Sequence, residues 1–280
     1  MNEEELIPYI IVLFCFFLLF GLLYSRYLLT KRNTKTEVEI GNGQTIGTRE
    51  EQDDSFGSMT TPIGTIAVIA DGISGLANGK KASIIATNTF LNEFSQLKTH
   101  SNIQSYFSTT AQIANRDIIQ NLKGTSGGTT LASVIVDQNG YLHWGAVGDS
   151  LITIFRDGDF ISVNKKDIYE NVLEERYLSG EMTINEVKTN PMRKRLINYL
   201  GFTGFKNIEI GNNPIKLKKK DKVLLYSDGV SDSLTEVELE NILSKELSPY
   251  DAAQEIIEII EEKQLKNQDN ATVVILANGW

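Results

Sequence analysis

Two apolar runs of strand length in this chain end the same way, and that repetition constrains the fold more than any other feature. Ile66-Ala67-Val68-Ile69-Ala70 stops at Asp71-Gly72, and Val223-Leu224-Leu225-Tyr226-Ser227 stops at Asp228-Gly229. Each run is too short for a helix and lacks the alternation of a half-exposed strand. A carboxylate therefore sits where a buried strand leaves its sheet, and the glycine lets the backbone approach whatever the carboxylate holds. An Asp-Gly pair after a strand is most often a plain turn. Here the device recurs: Asp149 follows the alternating strand that begins at Tyr141, and Asp269 precedes the strand Thr272 to Leu276.

Charge and cysteine content narrow the class. The chain of 280 residues carries a formal charge of −9; residues 1–36 hold +1 of it, which leaves −10 on the remainder. An acidic body without a basic stripe argues against nucleic acid as a partner. Cys15 is the one cysteine, so no intramolecular disulfide forms and a reducing compartment fits.

Leu6 to Tyr24 is a stretch of nineteen residues without a charge. At about 1.5 Å per residue it nearly crosses a hydrocarbon core of roughly 30 Å, and Ser25 to Leu29 can extend it. Glu3-Glu4-Glu5 in front of it and Tyr24-Ser25-Arg26-Tyr27 behind it do not suit a cleaved signal peptide. Arg26, Lys31, Arg32 and Lys35 all follow it, so the expectation is a single-pass anchor over 1–29 in the cell membrane with the body on the cytoplasmic side. Residues 30–36 read as a polar linker and 37–280 as one domain.

Within that domain, Val38 and Ile40 alternate with glutamates, and Gly41-Asn42-Gly43 predicts a hairpin turn into a second strand over Gln44 to Thr48. Helical periodicity covers Lys81 to Leu97 and Ile103 to Leu122. Gly124 to Thr130 is a glycine-rich entry to a strand, without the Gly-Lys-Ser/Thr ending of a nucleotide loop. His143 reads as a packed strand residue. Residues 164–204 are less regular, with a capping box at Thr183 to Glu186, and form a candidate substrate-facing flap.

Carboxylates gathered at sheet ends need a counter-charge, since two of them about 4 Å apart repel by ~4 kcal/mol at an effective dielectric near 20. The two histidines and the cysteine fall elsewhere, so the ligand set is oxygen only, which suits Mg²⁺ or Mn²⁺ rather than zinc. A pair of such ions generates hydroxide near neutral pH and clamps an in-line displacement at phosphorus.

Arg49-Glu50-Glu51-Gln52-Asp53-Asp54, Ala70-Asp71-Gly72-Ile73-Ser74-Gly75, Gly127-Gly128-Thr129-Thr130, Val147-Gly148-Asp149-Ser150, Tyr226 to Asp232 and Gln268 to Thr272 follow one another in a set order. That ordered set resembles the metal-dependent protein phosphatases, the protein phosphatase 2C-like enzymes. The resemblance implies an α+β fold: a four-layer αββα sandwich of two antiparallel sheets flanked by helices, here preceded by the membrane helix. It also implies hydrolysis of phosphoserine and phosphothreonine in proteins by a metal-bridging hydroxide, with substrates made by a Ser/Thr kinase.

By position, Asp71 resembles the ligand shared by two Mg²⁺ or Mn²⁺ ions, with the Gly72 carbonyl beside it. Asp53 resembles an acidic ligand of one ion, and Asp228 and Asp269 those of the other. Arg49 matches the phosphate-holding arginine. Asp149 and Asp232 match ligands of a third, weaker ion, and Asp54 and Asn270 stand behind the ligands. Ile73 stands where some relatives carry a histidine proposed as general acid, which leaves the leaving-group proton to a bound water or to another group that the sequence does not identify. Ser74 and Leu151 also depart from the common pattern. The alternative is a catalytically silent homologue that binds phosphoproteins; retention of every primary ligand favours the enzyme.

Overall fold

A computed structural model describes residues 13–26, 38–73 and 75–278. The chain divides into a unit ending at Glu37 and a unit running from Val38 to Trp280. In the first, residues 13–26 form a helix, α1, whose large apolar side chains from Leu13 to Tyr24 are exposed. Among the described residues no helix is long and apolar enough to cross a membrane. The first part of the charge-free stretch and the linker over 30–36 lie outside the described residues.

The larger unit is built on two antiparallel sheets. The first orders β1 (Val38–Thr45), β11 (Ala271–Asn278), β10 (Lys222–Tyr226), β6 (Leu151–Arg156) and β7 (Asp159–Ser162). The second orders β2 (Ser55–Thr61), β3 (Gly64–Ala70), β4 (Leu131–Asp137), β5 (Tyr141–Val147) and β8 (Glu209–Ile210), with β9 (Ile215–Lys216) also on β5. Helices α2 (Gly79–Ser95) and α3 (Ile103–Leu122) cover the second sheet, while α7 (Glu236–Leu243) and α8 (Pro249–Glu262) cover the first. The four expected layers are present.

The layering explains the unbroken apolar runs. In β3, Ala67 and Ile69 enter the core between the sheets, while Ile66, Val68 and Ala70 pack beneath α2 and α3. In β10, Val223 and Leu225 face the other sheet and Leu224 faces the helices. Strands covered on both faces have no solvent side to alternate with. Polar chemistry is thereby displaced to their ends. Half-covered β5 keeps the alternation, with Leu142, Trp144 and Ala146 inward. His143 is packed as expected but has an acidic neighbour across the hairpin, with Asp137 Oδ2 3.5 Å from its Nε2.

The hairpin expected at Gly41-Asn42-Gly43 is absent: β1 runs straight through it, paired with β11 from Val38↔Asn278 to Thr45↔Ala271. The glycines serve packing. A Cβ at Gly41 would lie 2.1 Å from the Pro249 carbonyl carbon, and one at Gly43 2.6 Å from the Ala253 carbonyl oxygen, both on α8. In 164–204 the structure adds α4 (Tyr169–Leu178), missed by periodicity, ahead of the capped α5 (Ile184–Thr189). The Thr183 hydroxyl accepts from the Glu186 amide there, and the Glu186 carboxylate accepts in return from the Thr183 amide.

Gly41→Val should force β1 and α8 apart and lower the unfolding free energy by about 3 kcal/mol. Urea denaturation followed by circular dichroism reads this directly; an unchanged midpoint would show that α8 yields freely.

Candidate active site

Every strand end flagged in the sequence opens at the same edge of the sandwich. Asp71 follows β3, Asp149 lies in the turn from β5 to β6, Asp228 is the first residue of the short helix α6 (Asp228–Ser233) that follows β10, and Asp269 precedes β11. All four line one cavity of about 370 Å³, together with Thr130, Ile73, Lys194, Arg195 and Tyr199.

Asp71 is fixed by its own backbone. Its amide donates to Thr130 Oγ1 at 3.0 Å, and its carbonyl accepts from the Thr130 amide at 2.8 Å and the Thr129 hydroxyl at 2.8 Å. The Gly124–Thr130 run is thus a clamp for the Asp71 turn, a use its glycines do not advertise. The Gly72 amide donates to the Asp53 carbonyl at 3.2 Å, and a Cβ at Gly72 would strike Gly79 at 2.4 Å. Glycine is required by this crossing of backbones. Gly229 has a similar duty, since a Cβ there would lie 1.9 Å from the Asn270 carbonyl oxygen.

Asp54 is the most enclosed of the flagged acids at 6 % exposure. Its Oδ2 accepts from Ser227 Oγ at 2.8 Å and Thr272 Oγ1 at 2.7 Å, while its Oδ1 is buried with no hydrogen-bond partner among the described residues. Those hydroxyls belong to the ends of β10 and β11 in one sheet, whereas Asp54 leads into β2 of the other. One carboxylate therefore bridges the sheets beside Asp71.

Burial raises the carboxyl groups of Asp54, Asp71, Asp149 and Asp228 above the usual range, and their neighbours' charges raise them further. Asp54 and Asp149 are each pushed up to about 6. Asp71 feels Asp54, Asp228, Asp149 and Asp269 together. An all-oxygen donor set, an acceptor buried without a donor and mutually repelling carboxylates are what a hard divalent cation would satisfy. The residues present fit such an ion. Among the described residues, however, no three His, Cys, Asp or Glu side chains converge tightly enough to hold one as they stand. The acids share a wall without closing on a common point.

Two expected ligands lie off that wall. Asp53 lines an adjoining cavity of about 430 Å³ with Arg49, Glu51 and Lys80, and its Oδ1 accepts from the Lys80 amide at 3.1 Å. Asp232 is exposed and bound by Lys194 Nζ, at 3.2 Å and 3.0 Å from its two oxygens. Arg49 reaches between the cavities to Asp269, Nη2 to Oδ2 at 2.6 Å. Asn270 accepts the Asp53 amide at 2.8 Å and donates to the carbonyls of Ile46 and Glu51, so it shapes the Arg49 loop from behind. The segment 164–204, expected as a substrate-facing flap, reaches the site through Lys194, Arg195 and Tyr199 in the cavity wall, residues that the sequence reading did not single out. The Arg193-Lys194-Arg195 run was its available signal.

A carboxylate-walled cleft thus opens at one edge of an αββα sandwich. A family profile described as protein phosphatase 2C matches residues 44–268, and the chain belongs to that family. It is similar to the serine/threonine phosphatase stp of Listeria innocua, 26% identical over 220 residues that cover 75% of this chain and 83% of that protein. Its fold matches that of the S. agalactiae serine/threonine phosphatase with a TM-score of 0.74, at 22% identity over 86% of this chain and 99% of the other. The catalytic domain of the phosphatase PstP, solved with two manganese ions, matches with a TM-score of 0.69 at 21% identity, over 86% and 98% of the two chains.

Thr272→Val should strip one of the two hydroxyls from buried Asp54 and destabilise the domain by about 2 kcal/mol. Chemical denaturation of the purified variant checks this, and a change within a few tenths would remove Asp54 from its bridging role.

Proposed function

We propose that the chain is a protein serine/threonine phosphatase dependent on Mg²⁺ or Mn²⁺ and held at the cytoplasmic face of the cell membrane. The observation that carries the catalytic reading is the single cavity wall shared by Asp71, Asp149, Asp228 and Asp269. Asp71, Asp228 and Asp269 would hold one ion; Asp71, the Gly72 carbonyl and Asp53 would hold a second from the adjoining cavity. Asp149 and Asp232 are the candidates for a weaker third. When bound, such ions supply a nucleophilic hydroxide near neutral pH and neutralise charge developing on phosphate.

The chain's own groups do the rest. Arg49 stands between the two cavities, where its guanidinium can orient a phosphate by paired N–H donors once it leaves Asp269. Its ion pair with Asp269 is half-exposed, a situation worth at most about 1 kcal/mol, so a dianionic ligand can displace it. Ile73 lines the cavity and offers no proton, so the departing serine or threonine oxygen takes its proton from solvent or from another group on the cavity wall. The retained acids set this reading above that of a silent phosphoprotein-binding homologue.

Membrane attachment rests on the charge-free stretch Leu6 to Tyr24, the cations behind it and the exposed apolar side chains of α1. Kinase-made phosphoproteins reachable from that surface are the proposed substrates.

Asp71→Asn and Asp228→Asn should each cut phosphate release from a phosphothreonine peptide by at least about a hundredfold, or ~2.7 kcal/mol, with the circular dichroism spectrum retained. Arg49→Ala should chiefly raise KM. EDTA should abolish turnover and lower Tm, and Mn²⁺ should restore both; full turnover in EDTA would end the metal reading. In fractionated cells the full chain should resist alkaline extraction from membranes, whereas a chain lacking residues 1–29 should be released.

A further inference from the structure

The cavity holding the acids is the middle of a longer groove whose two arms differ in chemistry. Leu76 lines the central cavity and both of its neighbours, and Tyr199 lines the central cavity and one of them. The arm beyond Leu76 toward Arg49 is walled by Arg49, Glu50, Glu51, Asp53 and Lys80. The other arm, of about 350 Å³, has no charged residue in its lining among the described residues.

That second arm is a built surface. Tyr199 and Phe202 stack with ring centroids 5.2 Å apart and planes inclined by 28°. Opposite them lie Ile119 and Leu122 of α3 and the backbone of Gly124 to Gly127. The glycines keep the floor low: a Cβ at Gly128 would meet the Tyr199 ring at 2.6 Å, and one at Gly201 the Gly127 carbonyl at 2.6 Å. The Thr129–Leu200 amide and carbonyl bonds, at 3.0 Å and 2.9 Å, tie the flap to this floor. Phe202 is nonetheless 37% exposed. An aromatic stack left open beside a charged cleft has area to give to a ligand.

The geometry points to this arm as a specificity subsite that takes a large apolar or aromatic side chain of the phosphoprotein substrate, close in sequence to the phosphorylated residue. The inference rests on the phosphatase reading and adds the substrate feature selected. The occupant follows from continuity: a chain whose phosphorylated residue lies over the acids must leave the cavity past Leu76 or Tyr199. On the Tyr199 side it meets uncharged walls, and on the Arg49 side charged ones. A bulky apolar flanking residue is therefore selected on one side of the phosphorylated residue only.

The test uses the full chain in mild detergent with Mn²⁺, p-nitrophenyl phosphate, and phosphothreonine peptides carrying Phe, Leu, Ala or Glu at each flanking position in turn. The wild type should prefer Phe or Leu over Ala by roughly tenfold in kcat/KM at positions on one side only. Phe202→Ala should erase that preference through KM, and Ser126→Arg, which places a charge in the exposed rim of the arm, should do the same. Both should hydrolyse p-nitrophenyl phosphate within about twofold of wild type. Equal wild-type rates on all peptides, or a preference that survives both variants, would overturn the subsite while p-nitrophenyl phosphate turnover kept the phosphatase reading intact. Absence of turnover on any phosphoester would sink that reading and the subsite with it.

Discussion

The structure depends on keeping several carboxylates together at one edge of a close-packed sandwich. Two such charges about 4 Å apart cost ~4 kcal/mol at an effective dielectric near 20, against a typical domain stability of about 5–15 kcal/mol. Nothing in the carboxylates themselves holds them there. The restraint comes from strands whose ends are fixed because their middles are buried on both faces, β3 and β10 above all. The apolar core between the sheets and the two helix-covered cores supply the free energy that the acidic edge consumes.

That dependence explains which parts of the site were legible in the amino-acid sequence. Strand ends were visible because fully covered strands leave an unbroken apolar run and then a sudden carboxylate. Asp71 and Asp228 therefore announced themselves, and so did the four layers once the ordered motifs were read together. Gly41 and Gly43 were misread because a hairpin and a close helix crossing make the same local demand for a missing Cβ. What separates them is α8, more than 200 residues further along the chain. Adjacent Asp53 and Asp54 carried no sign of their divergence either: one opens to the outer cavity, and the other turns in to bridge the sheets.

The flap was the least legible part. Its helices are short, and α4 buries only Leu173, so little hydrophobic periodicity reached the sequence. Its position is set by polar contacts from distant segments. The Asp167 amide donates to the Gly148 carbonyl at 2.6 Å, and Asp167 Oδ2 accepts from Asn198 at 3.2 Å, which hangs the flap on the turn that carries Asp149. Contacts of that kind depend on geometry that only the folded sheets create.

The bridging role of Asp54 links these observations. Its two hydroxyl donors come from the sheet that contributes Asp228 and Asp269, and its own segment enters the sheet that contributes Asp71. Sliding one sheet against the other would therefore break a buried hydrogen-bonded carboxylate, at a cost of several kcal/mol, in the same motion that separated the acids of the two sheets. Registration of the sandwich and assembly of the site are one structural event. The flap carries none of that registration, whereas the residues around Asp54 carry it in full.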